Sequence, residues 1–352
     1  MKVLLVDTAV SGHHVSYLKA LISNENCDFV ICIPKKISDI ETKQIEIKNA
    51  NFNSGNFIQY YKWIKEIQSA ANAEKPDIIQ FLYGDIFYRY FGIGLSKFKK
   101  YKTVVTFHQI RNSFLRNISI KTISKKINTG IVHTEELLRK LNSLDINNAK
   151  HIEYPHLNDI NYITKEFALK YLGLSDKTPV LLALGGTRFD KGLDILLEAL
   201  KYADKPFQLI IAGQEQYFDK SFIENKIETY KDNVKLLLKF LSDEEFSICI
   251  NACDFIVLPY RKIFTGASGP LGEGVWLRKT IIGPNHGSLG DIITKNNIGI
   301  TFTSEDSYML SKVINDQLNK KYEWNDIAEN YRLTLSVYKF KNDYQVIYDE
   351  LI

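Results

Sequence analysis

Short, nearly all-apolar runs punctuate the chain at regular intervals. In the first half they are VLLV at 3–6, FVICI at 29–33, PDIIQFLY at 76–83, TVVTFH at 103–108, TGIVHT at 129–134 and HIEY at 151–154. Between them lie stretches such as HVSYLKALIS and NFIQYYKWIKEIQSAANA, whose apolar residues recur every three or four positions. Such alternation predicts buried strands separated by amphipathic helices, hence a parallel sheet covered on both faces. After a polar stretch at 157–178 the same grammar restarts. VLLALGG, FQLIIAG, VKLLLKFL, DFIVLPY and TIIG read as strands, and GLDILLEALKYA, DEEFSICINAC and SGPLGEGVWLRK as helices. The last thirty residues are helical in pattern. The prediction is two doubly wound α/β domains with a helical tail.

Length agrees, because 352 residues suit two domains of about 150 each. With 45% hydrophobic and 24% charged residues the composition is that of a globular protein, which excludes a disordered chain. No run reaches the ~18 apolar residues of a membrane span. The start, MKVLLVDTAV, turns acidic at Asp7 and reads as a first strand instead of a signal peptide. Cys27, Cys32, Cys249 and Cys253 form no C-x-x-C pair, and Cys249 and Cys253, four apart on one helix face, read as core residues of a reducing, cytoplasmic compartment.

Charge changes the picture once it is divided. Residues 1–150 hold 22 Lys and Arg against 13 Asp and Glu, whereas the remainder holds 23 against 28. Residues 86–127 carry ten basic side chains (Arg89, Lys97, Lys99, Lys100, Lys102, Arg111, Arg116, Lys121, Lys125 and Lys126) and no acid. This is either a solvated face or a surface that attracts an anionic partner, including the face of a membrane. Within it, DIFYRYFGIGLSKFKKYK sets Phe87, Tyr90, Phe91, Leu95 and Phe98 near one helical face beside lysines. That pattern predicts either an interfacial helix making peripheral membrane contact or a face packed on the sheet.

Open parallel sheets bind ligands beyond the carboxyl ends of their strands. After VLLALGG, the glycines Gly185 and Gly186 permit a tight turn, and Arg188 and Lys191 follow three apart. Spacing alone fits a diphosphate clamp as well as a solvated pair. The G-x-x-x-x-G-K-[ST] and G-x-G-x-x-G patterns are absent from this turn. After DFIVLPY, the residues Ser268, Gly269 and Pro270 make a sound helix start with N–H groups suited to phosphate. Glu273 follows one turn inside, flanked by Gly272 and Gly274. Two helical glycines cost roughly 1 kcal/mol each, which predicts a close approach to the backbone there. Glu273 itself is either a ribose ligand or a carboxylate favoured near a helix N-terminus.

The segments LALGGTRFDKGLDILLEAL, LIIAG, NACDFIVLPYR and SGPLGEGVWLRKTIIGPNHGSLGDII, in this order over about 179–303, resemble the donor half of glycosyltransferase family 4. These are the retaining glycosyltransferases of the GT-B fold. The resemblance implies two Rossmann-like domains facing a central cleft, with C-terminal helices crossing back to the first domain. Residues 1–165, plus a returning helix at about 335–352, would then bind the acceptor, and 166–334 the nucleotide sugar. Tyr338, Phe340, Tyr344, Ile347 and Tyr348 would anchor the returning helix, and two crossings would let the halves hinge. The resemblance further implies that Arg188 and Lys191 hold the donor diphosphate and that Glu273 holds the ribose. The loop of Ser268, Gly269 and Pro270 would supply backbone N–H groups to the phosphates, and Gly213 and Gly186 would make room for the donor. At the position where the family often has a second glutamate, contacting the transferred sugar, this chain has Thr265.

The first half resembles the family's acceptor domain more faintly. Gly12, His13 and His14 follow the first strand, as a Gly-rich loop does in the family, and His108 ends TVVTFH as a family histidine near the sugar does. Asp85 is a further candidate in this cleft, while Asp77 reads as a strand-entry residue. A D-x-D metal signature is absent, so no metal and no cofactor beyond the nucleotide sugar substrate is expected. The expected activity is transfer from a nucleotide diphosphosugar to a glycan or lipid-linked acceptor, in cell-surface polysaccharide or glycoconjugate synthesis. Nucleic acid is not an expected partner. A non-catalytic scaffold of the same fold, supported by Thr265, and a nucleotide-sugar epimerase are the alternatives.

Overall fold

The computed structural model describes every residue except 51–54, 111, 112, 159–162, 319 and 321. Arg111 of the basic stretch therefore lies outside the described residues. The chain divides into two compact units: Met1–Leu157 with Ser336–Ile352, and Asn158–Leu335. The first change of unit falls at 157/158, ahead of the 165/166 boundary expected from the sequence.

Seven parallel strands form the sheet of the first unit: β1 (Lys2–Val6), β2 (Asp28–Ile33), β3 (Gln44–Glu46), β4 (Ile78–Phe81), β5 (Lys102–Phe107), β6 (Thr129–Val132) and β7 (Ala149–His151). Their order is β3-β2-β1-β4-β5-β6-β7, so the winding reverses between β1 and β4. Val3 to Val6 pair with both neighbours and are buried, as a continuous apolar run in a central parallel strand requires. The second sheet holds six parallel strands: β8 (Val180–Leu184), β9 (Gln208–Ala212), β10 (Val234–Leu237), β11 (Phe255–Val257), β12 (Thr280–Pro284) and β13 (Gly299–Phe302). Here the order is β10-β9-β8-β11-β12-β13, with the reversal between β8 and β11. β3 and β13 are absent from the sequence prediction because QIE and GITF are too short and too mixed to read as apolar runs. VKLLLKFL makes a strand only as far as Leu237, and Phe240 beyond it is exposed.

Cys32, Cys249 and Cys253 are buried and unpaired, with burial pushing their thiols up to about 11 or 12. Asp77 receives the Lys2 backbone N–H at 2.7 Å, at the entry to the sheet.

The C-terminal helix Val337–Leu351, capped by the Ser336 hydroxyl on the Lys339 N–H, belongs to the first unit. Phe340, Tyr344, Ile347 and Tyr348 are buried there, but Tyr338 is 70% exposed and anchors nothing. It lies on the opposite side of the helix from that stripe.

The segment after β4 corrects a second expectation. It forms two short 3-10 turns, Gly84–Tyr90 and Leu95–Phe98, instead of one helix. Phe87, Tyr90, Leu95 and Phe98 pack into the core, so their spacing reflects sheet packing and not a membrane face. Among the described residues, no helix is long and apolar enough to cross a membrane.

Candidate active site

Both sheets place their candidate chemistry at the reversal of strand order, where neighbouring crossovers leave on opposite faces and open a crevice. In the second unit this is the edge beyond β8 and β11. Gly185 (φ +109°) donates its N–H to Ala212 at 2.8 Å, and Gly213 (φ +141°) rests against the Gly185 backbone so closely that no side chain fits. Any residue at 213 would meet both a forbidden torsion and a backbone carbonyl. Gly186 abuts the side chain of Gln216.

Over this glycine floor lies the Lys191 ammonium. It occupies the space that a side chain on Gly185 would need, beside Pro270, and sits 5.5 Å from the Tyr260 ring centroid. Tyr260 in turn receives the Ser268 hydroxyl at 3.3 Å, and Ser268 caps the helix Gly269–Trp276 by accepting the Leu271 N–H at 3.4 Å. One cation, a glycine floor and a capped helix N-terminus thus converge. The position over Gly269 is open, which leaves the first turn accessible.

Arg188 is engaged within its own turn. Its Nε donates to Asp190 Oδ1 at 2.8 Å and its Nη2 to Asp190 Oδ2, while the side chain stays partly exposed. A carboxylate that takes a guanidinium fork in this way occupies the geometry a phosphate would use. Glu273 is buried, and its Oε1 accepts from the Asn158 backbone N–H at 3.2 Å and the Asn158 amide at 3.0 Å. Of the two flanking glycines, Gly274 is pressed against Ile256 and Ile281, whereas Gly272 faces open space. The close approach predicted from the sequence is therefore sheet packing at 274.

In the first unit the crevice lies beyond β1 and β4. Asp7 is buried and accepts the N–H groups of Thr8 at 2.6 Å and Ala9 at 3.2 Å. Both its oxygens lie 3.0 Å from His14 Nδ1, which donates its proton to the carboxylate. Gly12 (φ +57°) starts the helix His13–Ile22, and the rings of His13 and His14 lie 4.6 Å apart. His108 holds its Nε2 2.8 Å from the Leu82 carbonyl, which fixes the proton there and leaves Nδ1 as acceptor. Burial lowers the His108 imidazole to about 4, so it is neutral at pH 7. The Tyr83 ring stacks on it at 5.2 Å, and Tyr83 also neighbours His14 at 5.4 Å. Asp85 lies behind, accepting the His108 and Gln109 N–H groups at 3.0 and 3.1 Å. Burial raises its carboxyl to about 7 against the pull of those donors and of Arg116. Asp85 thus shapes the His108 turn from its backbone side.

A buried polar relay supports this crevice. His133 Nδ1 donates to the Ile152 carbonyl at 2.9 Å, so its Nε2 accepts the Tyr17 hydroxyl at 2.9 Å, and Tyr17 accepts that of Tyr344 at 2.5 Å. Burial pushes His133 down to about 3. Asp7, His133, Tyr17, Asn158, Asp190 and Tyr260 were not singled out from sequence. Asp190 stands inside the R-F-D-K run and was within reach. Asn158 and Tyr344 lie far in sequence from what they bind, and no local pattern marks them.

Residues 164–334 match the family model described as glycosyl transferases group 1. That span, just under half of the chain, carries the match to a group 1 glycosyltransferase domain. No curated protein matches by sequence. Solved structures do match in fold. A sucrose-phosphate synthase from Thermosynechococcus elongatus is 14% identical, with 99% of this chain and 98% of that one covered at a TM-score of 0.81. A Rickettsia africae glycosyltransferase is 18% identical, with 99% and 98% covered and a TM-score of 0.78. The Anabaena protein HepE, in complex with UDP and glucose, is 14% identical, with 99% and 100% covered and a TM-score of 0.75. The fold is thus that of the GT-B glycosyltransferases, and the protein is a glycosyltransferase by its domain. The matched span includes Arg188, Lys191, Gly213, Ser268 and Glu273.

Proposed function

We propose that this group 1 glycosyltransferase moves a sugar from a nucleotide diphosphosugar to a glycan or lipid-linked acceptor with retention, in the synthesis of a cell-surface polysaccharide or glycoconjugate. The observation that carries the donor reading is the Lys191 ammonium over the Gly185–Gly213 floor, beside Pro270 at the capped start of Gly269–Trp276. A diphosphate laid there meets a cation and the Gly269 N–H at the helix start, since Pro270 has no N–H and those of Leu271 and Gly272 bond to Ser268. Arg188 joins by exchanging or sharing its Asp190 partner, and Glu273 faces the ribose. His108, neutral and with Nδ1 as acceptor, suits a sugar hydroxyl. As the sugar–phosphate bond breaks, charge grows on the diphosphate, and groups aimed at that charge lower the barrier. Retention follows if the leaving phosphate takes the acceptor's proton on the same face. A fixed ammonium and a helix N-terminus supply what a divalent ion supplies elsewhere, so the reaction is expected to proceed in EDTA.

Acceptor-dependent release of nucleotide tests this, starting with UDP-glucose because a structurally similar protein, HepE, binds UDP and glucose. GDP-, ADP- and dTDP-sugars follow, with the anomeric configuration of the product read by NMR. Absence of release with any donor favours the scaffold reading, and an inverted product overturns retention.

Peripheral contact with an anionic membrane is part of the proposal, moved to another element. The helix Phe114–Ser124 exposes Phe114 (79%), Leu115 (65%) and Ile118 (40%), with Lys121 and Lys125 on the same side. Apolar residues beside lysines, with no acid in 86–127, suit an acidic bilayer surface on the cytoplasmic side. Co-sedimentation with acidic but not neutral vesicles, reduced by Phe114→Ser with Leu115→Ser, is the expected result.

A further inference from the structure

The segment that carries both candidate cations has little strength of its own. Phe189–Lys191 is a single 3-10 turn between Arg188 and Gly192 (φ +63°). Such short turns depend on outside support for their geometry. That support comes from the loop after β11, and most of it from one side chain. Arg261 grips Asp194 with two parallel hydrogen bonds, Nη1 to Oδ1 at 2.9 Å and Nη2 to Oδ2 at 2.7 Å. Nη1 also donates to the Phe189 carbonyl at 3.1 Å, and the guanidinium lies over the Phe189 ring, 4.1 Å from its centroid. The Arg261 backbone N–H donates to the Asp190 carbonyl at 2.9 Å, and Gly192 is pressed against the Pro259 carbonyl. Asp190, so placed, holds the Arg188 guanidinium. The Arg261 side chain is 14% exposed against 41% for Arg188, and the Asp194 carboxylate holds its charge even higher above the usual guanidinium range.

We infer that Arg261 is a positioning residue for the diphosphate-binding turn. Its planar fork spans Asp194 and Phe189 and fixes the angle at which Arg188 and Lys191 meet the donor phosphates. Its role is positioning and not contact, because its fork is taken by Asp194 and its side chain is far more buried than that of Arg188. A lysine cannot do the same work: a single ammonium cannot make two parallel bonds to Asp194 while lying flat on the Phe189 ring. The inference rests on the donor-site reading proposed above. It extends that reading to a residue on a different loop, 73 positions after Arg188 in the chain.

The test separates phosphate recognition from general weakening of the fold. Among UDP, GDP, ADP and dTDP, the ligand that gives the largest thermal shift is titrated by calorimetry, and its parent nucleoside by competition. Wild type, Lys191→Ala, Arg261→Met and Arg261→Lys are compared. A loosened turn costs phosphate contacts and leaves base contacts alone. Arg261→Met is therefore expected to weaken diphosphate binding about tenfold, which is about 1.4 kcal/mol, with nucleoside binding within twofold of wild type. Arg261→Lys is expected to recover less than half of the loss. If Lys191→Ala leaves diphosphate binding unchanged, the donor site itself is misplaced. If Lys191→Ala weakens it while Arg261→Met does not, or if Arg261→Met weakens diphosphate and nucleoside equally, the positioning role is overturned. Should Arg261→Met fail to fold, Asp194→Asn, which loosens only the far anchor of the fork, is judged by the same criteria.

Discussion

The two crevices occupy equivalent places in their sheets and are built from opposite materials. Beyond β8 the floor is backbone: Gly185 and Gly213 touch, and the charge comes from Lys191, Arg188 and a helix N-terminus. Beyond β1 the wall is side chain: Asp7, His14, Tyr83 and His108, over a buried relay from His133 through Tyr17 to Tyr344. A diphosphate is the same in every nucleotide sugar, and backbone N–H groups with two cations suffice for it. A sugar or acceptor presents hydroxyls in a particular arrangement, and that calls for neutral, oriented side-chain acceptors. The low values of His108 and His133 keep both rings uncharged near neutral pH. In the proposed function, the first crevice would accept hydrogen bonds and the second would hold negative charge.

The sharpest way to break this contrast is to remove charge from the second crevice. Lys191→Ala and Arg188→Ala are each expected to lower turnover by about 10²–10³ with the fold intact by circular dichroism, since both would act on the developing charge. Near-normal turnover in either variant would show that the diphosphate lies elsewhere. Glu273→Ala is expected to act mainly on the KM for the donor, by about tenfold, because ribose contacts change little between ground and transition states.

Backbone against side chain is tested next, through stability. Gly213→Ala is expected to lose about 2–4 kcal/mol in denaturant unfolding, from a forbidden torsion together with a backbone clash. A loss below about 1 kcal/mol would mean that the floor can yield.

Acid sharpens the other side. The unfolded His133 titrates near 6.5 and the folded one near 3, so between those values the unfolded chain binds a proton that the folded chain refuses. Stability contributed by His133 therefore falls as pH drops below about 6.5 and levels off near 3. His108 acts in the same direction down to about 4, whereas Asp85, raised to about 7, loses stability as pH rises from about 4 toward 7. His133→Gln should flatten the acid slope of the melting temperature, and an unchanged slope would mean that the ring is not held neutral. Smallest is Tyr344→Phe, which removes the donor to Tyr17 and is expected to cost about 1 kcal/mol in thermal unfolding.

The architecture is legible in the chain, and so are the residues of the proposed donor crevice. Central parallel strands are apolar on both faces, so VLLV or DFIVLPY can be little else. The proposed donor machinery is local, because R-F-D-K and S-G-P-L-G-E are contiguous runs whose chemistry depends on a turn and a helix start. What only the tertiary structure decided is which of those residues meet. Asp190 stands beside Arg188 in its own run, but nothing there says that Arg261 will brace the turn or that Asn158 will bind Glu273. The aromatic spacing in 87–98 fits an amphipathic helix on paper, but the core takes those rings and leaves Phe114, Leu115 and Ile118 facing solvent. Periodicity reports that a face is apolar. Whether it packs inward depends on which neighbour the chain topology sets against it.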